Sequence, residues 1–349
     1  MKETLRQNNL PAQRTTIEKM KAAMPILTIF ALLHIITYFF VGTLFLLLVQ
    51  HIPDANRIAL DYYQPYQPIT GITVLTQLIR GLILGVVYLP LLKTIMRDRR
   101  SFLLLAALIW GVGLFASVEP LPGSFEGMLY TITTPLEHAV ALTAVLIQTL
   151  CFTGLFIKWA SSDNSFQAPG KSESVSGQKF KQHSVMKPSR FIRRFTLFHV
   201  FTYFIVGALF YRYSIYQEAI ETMEMFELWR PLEESALPIF IFFGQFFRGM
   251  VMATLLLPFS GLFLKETLGW LKLFITMWGM TFLSAFSIAP WIIQDILTGN
   301  APLVELLVGP PEVTIQMFLF SAGLAAWYGL NSRTDMIKFK IKQKIRITA

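Results

Sequence analysis

A polar pattern repeated inside two hydrophobic stretches limits what this chain can fold into. LHIITYFFVGTLF (33–45) returns as FHVFTYFIVGALF (198–210), keeping His34/His199, Thr37/Thr202, Tyr38/Tyr203 and Gly42/Gly207 at fixed spacing. QLIRG with a following Leu89-Pro90 returns as QFFRG with Leu257-Pro258, which pairs Gln77 with Gln245 and Arg80 with Arg248. Shorter echoes support the same duplication: Trp110-Gly111 with Trp278-Gly279, Pro122 with Pro290, and Pro135-x-Glu137 with Pro310-x-Glu312. An arginine within a hydrophobic span is costly, so a duplicated one calls for a partner or a function.

Composition places these elements in a membrane. Of 349 residues, 54% are apolar and 15% charged, against roughly 45–50% and 25% in soluble domains. A bilayer-crossing helix needs about 20 apolar residues. Eight segments qualify: 24–49, 69–92, 101–118, 128–157, 191–211, 236–262, 270–290 and 306–330. The polar first 23 residues precede an apolar run longer than a signal-peptide core, so a retained first span is expected.

Charge orients the spans. Segments 1–23, 93–100, 158–194, 265–272 and 331–349 hold 25 Lys/Arg against 7 Asp/Glu, whereas 50–68, 119–127, 212–235 and 291–305 hold 3 against 12. Basic segments stay cytoplasmic. Both termini are therefore expected there, in a multi-pass protein of the cell membrane.

The predicted fold is an all-α polytopic transmembrane helical bundle. Its eight spans form two parallel, same-orientation four-helix repeats, related by a pseudo-two-fold axis along the membrane normal. The divisions are a cytoplasmic N-terminal segment (1–23), repeats at 24–160 and 191–330, a flexible linker at 161–190 rich in Ser, Gly, Gln and Lys, and a basic tail at 331–349. The basic face would also attract anionic lipid headgroups.

Once loop charges are assigned, four remain within the spans: Arg80, Arg248, Glu137 and Glu312. Helical rise places the arginines roughly 16–18 Å, and the glutamates roughly 9–14 Å, from the outer ends of their spans. His34 and His199 reach similar depth from the opposite side, so the six groups are expected to converge near the midplane. Gln77, Gln245, Tyr38 and Tyr203 share faces with them.

Two accounts fit such a cluster. In one, buried Arg–Glu pairs lock the packing of a structural or regulatory membrane protein. In the other, the cluster is a pathway for a small anionic or amphiphilic solute through a transporter or permease, proton-linked through the histidines and glutamates. The duplicated amides and histidines favour the second, since a lock needs only the ion pair.

An enzyme has the least support, because there is no HExxH, Gly-x-Ser-x-Gly or glycine-rich phosphate loop. The lone Cys151 rules out a cysteine metal site or disulfide framework. No cofactor or nucleic-acid partner is implied, since topology accounts for the net charge of +9.

Overall fold

A computed structural model describes residues 16–63, 69–117, 119–162, 187–222, 226–231, 236–285, 289–299 and 309–329. Most of the expected N-terminal segment 1–23, all but the ends of the linker 161–190, and the tail 331–349 lie outside the described residues. Within them the structure is all-helical, with no strand.

The first half is built from α1 (Thr16–Val49), α2 (Ile58–Tyr63), α3 (Gly71–Arg97), α4 (Ser101–Ala116), α5 (Phe125–Tyr130) and α6 (Pro135–Ser162). The second half holds α7 (Pro188–Tyr213), α8 (Tyr216–Thr222), α9 (Leu237–Lys265), α10 (Gly269–Leu283), α11 (Ala289–Thr298) and α12 (309–329). Local sequence sets several of these starts. Thr70 caps α3 through a reciprocal box with Thr73, and Pro188 opens α7, where a missing N–H costs nothing.

Five helices are long and apolar enough to cross a membrane: Met20–Val49 within α1, then α3, α6, α7 and α9. This is consistent with a membrane protein. The segments expected to span at 101–118 and 270–290 are shorter. α4 falls below 18 residues and passes through a π-helical stretch at Ala107–Val112, and α10 has 15 residues. At 1.5 Å per residue α10 is roughly 22 Å long, less than a hydrocarbon core of about 30 Å. Both helices stop where the chain turns extended, at Ser117 (ψ 132°) and Ser284 (ψ 170°).

The halves interlock. α1 packs on α3 and α6, and α7 packs on α9, but α10 and α11 also lie against α3 while α4 and α5 lie against α9. Glycine permits the closest approaches. A Cβ on Gly81 would lie 2.9 Å from Ala31 Cα, and one on Gly249 would lie 3.1 Å from Thr196 Cα. Small residues are what let membrane helices meet so tightly. The main buried cluster runs through both halves, with Phe30, Leu91, Leu108 and Phe156 beside Phe195, Met252, Met277 and Phe320.

Candidate functional site

Each arginine binds the end of a short helix from the other half. Arg80 on α3 donates from Nε to Leu283 O at 3.1 Å and from Nη2 to Ser284 O, at the end of α10. Arg248 on α9 donates from Nε to Phe115 O at 2.5 Å, and from Nη2 to Ala116 O at 3.1 Å and Ser117 O at 3.0 Å, at the end of α4. The last carbonyls of a helix have no intrahelical donor and carry partial negative charge. A guanidinium with five N–H groups satisfies both needs. The pattern is reciprocal: Phe115 and Leu283 lie 168 positions apart, as do Arg80 and Arg248.

The groups around each arginine also correspond. His34 Nε2 meets Gln77 Oε1 at 3.3 Å, and His199 Nε2 meets Gln245 Oε1 at 3.2 Å. Those same amide oxygens accept from Arg80 Nη1 at 3.3 Å and Arg248 Nη1 at 3.2 Å. Tyr38 and Tyr203 each present a ring 6.0 Å from their guanidinium. The expected association of His, Tyr, Gln and Arg is therefore present in both halves.

The expected glutamates do not pair with these arginines among the described residues. Glu137 Oε1 accepts from the backbone N–H of Ala59 at 2.7 Å and of Leu60 at 3.1 Å, and Oε2 accepts from Thr134 N at 2.8 Å. It ties the start of α2 to the start of α6. Glu312 Oε1 lies 3.4 Å from where a Gly207 Cβ would stand, and it makes no ion pair among the described residues. The expected pairing of these glutamates with the arginines does not form: among the described residues neither Glu137 nor Glu312 makes an ion pair with Arg80 or Arg248.

Glu126, counted in the sequence with an outer loop, is the carboxylate that reaches an arginine. It sits on α5 and forms an ion pair with Arg248, and their side chains are 4% and 1% exposed. Gln245 Nε2 donates to its Oε1 at 3.3 Å, and Tyr203 Oη meets Tyr130 Oη, also on α5, at 2.5 Å. Ser124 holds α5 in place by accepting from Gly127 N at 2.8 Å. All five N–H groups of Arg248 thus have acceptors.

The Arg80 cluster has no such helper. Counting 168 positions on from Glu126 reaches Gln294, on α11, in the register that pairs Pro122 with Pro290. Arg80 makes three hydrogen bonds and no ion pair among the described residues, which leaves two of its N–H groups without an acceptor. Gln77 Nε2 and Tyr38 Oη likewise have no hydrogen-bond partner there.

These open groups face a cavity of about 240 Å³ between α1, α3, α6 and α11, lined by Tyr38, Gln77, Arg80, Gln148 and Gln294 among others. Thr76 also lines it, and its buried hydroxyl has no partner. A second cavity of about 50 Å³ lies further along α3, beside His34, Leu84 and Tyr88. Arg80, Gln148 and Ala285 border both cavities, so the arginine stands at the junction between them.

No protein-family model, curated protein or solved structure matches the chain. Among the described residues, no group of three or more His, Cys, Asp or Glu is placed to hold a metal ion.

Proposed function

We propose that this chain is an eight-span protein of the cell membrane, built from two like-oriented repeats (24–160 and 191–330) with both termini cytoplasmic. We further propose that it is a transporter or permease whose Arg80 cluster admits a small anionic or amphiphilic solute. The observation that carries this reading is the contrast between the two arginines. Arg248 is saturated by backbone carbonyls, the Gln245 amide oxygen and the Glu126 carboxylate. Arg80 turns unused donors toward a cavity.

Glu119 acts on Arg80 only through space, and a buried guanidinium without a directly paired carboxylate is unfavourable unless an anion joins it; a cavity is where such an anion can arrive. The smaller cavity past Arg80 supports passage, since a solute held at the arginine borders space on both sides. Proton coupling through Glu137 has no support, because that carboxylate is occupied by backbone amides.

The lock reading is favoured at Arg248, where a specific observation, the buried pair with Glu126, supports it. One cluster then braces the bundle and the other works.

The test is thermal unfolding of the detergent-purified protein against a panel of small anions. A binding anion raises the unfolding midpoint of the wild type and leaves Arg80→Gln unchanged. Equal shifts in both proteins, or none with any anion, contradict the proposal.

A further inference from the structure

We infer that the anion received at Arg80 is the carboxylate of a single-chain amphiphile, held in the way that Glu126 is held at Arg248. This rests on the Arg80 cavity being a ligand site, as proposed above.

The second cluster shows what a carboxylate does on this frame. Glu126 Oε1 takes one N–H from Arg248 Nη1 and one from Gln245 Nε2, while Gln245 Oε1 turns to the arginine and histidine. At Arg80 and Gln77 the frame is the same, down to the 3.3 Å contact between His34 and Gln77, but the carboxylate is lacking. Gln294, at the corresponding register position, brings an uncharged amide to the cavity wall.

Charge sets the valence. Among the described residues lining the larger cavity, Arg80 is the one cationic residue and none is acidic. A monoanion balances a single guanidinium, whereas a dianion would leave net negative charge in a poorly solvated site.

The remaining wall sets the tail. Phe39, Val41, Phe45 and Leu46 on α1 and Leu121 flank the cavity, which reaches Ile69, 61% exposed. An alkyl chain leading away from the carboxylate meets apolar surface along that length.

The experiment measures unfolding midpoints of the purified full chain with dodecanoate, dodecyl phosphate, dodecanol or butyrate, in the wild type and in Gln294→Glu. That substitution supplies a tethered carboxylate. Dodecanoate is expected to raise the wild-type midpoint by at least about 4 °C at saturation. Dodecanol and butyrate at equal concentration are expected to leave it within about 1 °C of the ligand-free value by the same linkage. Gln294→Glu should remove the dodecanoate response.

A response to dodecyl phosphate without one to dodecanoate overturns the carboxylate assignment but leaves an anion site at Arg80. A butyrate response equal to that of dodecanoate overturns the amphiphile assignment. A full dodecanoate response in Gln294→Glu overturns the placement beside that residue. If Gln294→Glu does not fold, the four wild-type measurements still decide between carboxylate amphiphile and the rest. No response to any anion removes this inference together with the reading it rests on.

Discussion

Arg248 and Glu126 form an ion pair across 122 positions of sequence, with both side chains almost wholly withdrawn from solvent. Their partnership joins α9 to α5 and accompanies the capping of α4. Removing one member of such a pair leaves an uncompensated charge, which typically costs about 3–5 kcal/mol, whereas replacing both with apolar groups of similar size is often tolerated. Glu126→Gln is therefore expected to destabilise the protein by about that amount. Combining it with Arg248→Met should recover part of the loss. Graded SDS unfolding of the two single variants and the double variant, read as a double-mutant cycle, checks this.

Glu137 is expected to behave differently. Its carboxylate accepts from Ala59 N, Leu60 N and Thr134 N, and hydrogen bonds to a charged group contribute about 1.5–3 kcal/mol. Glu137→Gln should lower stability on that scale and speed hydrogen exchange at the Ala59 and Leu60 amides. It should leave anion-induced stabilisation intact. Loss of that stabilisation would return Glu137 to the binding site.

The close approach of α1 to α3 depends on the lack of a side chain at Gly81, where a Cβ would meet Ala31 Cα at 2.9 Å. Gly81→Val should cost about 1–3 kcal/mol through overpacking. Gly71→Ala, where nothing lies within 4 Å, should be neutral or stabilising by up to about 1 kcal/mol. Thermal unfolding of both variants compares them. Similar losses would mean that the helices do not meet at Gly81.

The proposed topology is tested by adding single cysteines at exposed positions in a Cys151→Ser background and labelling intact cells with a membrane-impermeant maleimide. Asp54 and Thr298, both exposed, should label from outside. Arg99 and Ser162, also exposed, should label only after the membrane is permeabilised. Outside labelling at Arg99 would break the alternation of basic and acidic segments on which the orientation rests.

Much of the first-level organisation was legible in the sequence, because hydropathy and repeated polar residues act locally. The grouping of His34, Gln77 and Arg80, and of His199, Gln245 and Arg248, followed from helical spacing and matched depth. The arginines' principal acceptors did not follow, since the backbone carbonyls of Phe115, Ala116, Leu283 and Ser284 carry no signature in side-chain chemistry. Of the carboxylates within the spans, Glu137 accepts backbone amides and Glu312 makes no ion pair among the described residues.

Glu126 escaped notice for a related reason. It follows Pro120, Pro122 and Gly123 in a short polar stretch that reads as an outer loop, yet the chain folds back and buries it at 3% exposure. The available signal was the match of Pro122 with Pro290, which sets Glu126 against Gln294 and marks a place where the two clusters differ in charge.

If the two arginines, alike in their frames, do different work, Arg80→Gln and Arg248→Gln should differ in graded SDS unfolding without added ligand. Arg248→Gln strands a buried Glu126 and is predicted to lose about 3–5 kcal/mol. Arg80→Gln leaves no orphaned carboxylate and is predicted to lose less, about 1–3 kcal/mol for the helix-end carbonyls. An equal or greater loss at Arg80 would contradict this division of roles.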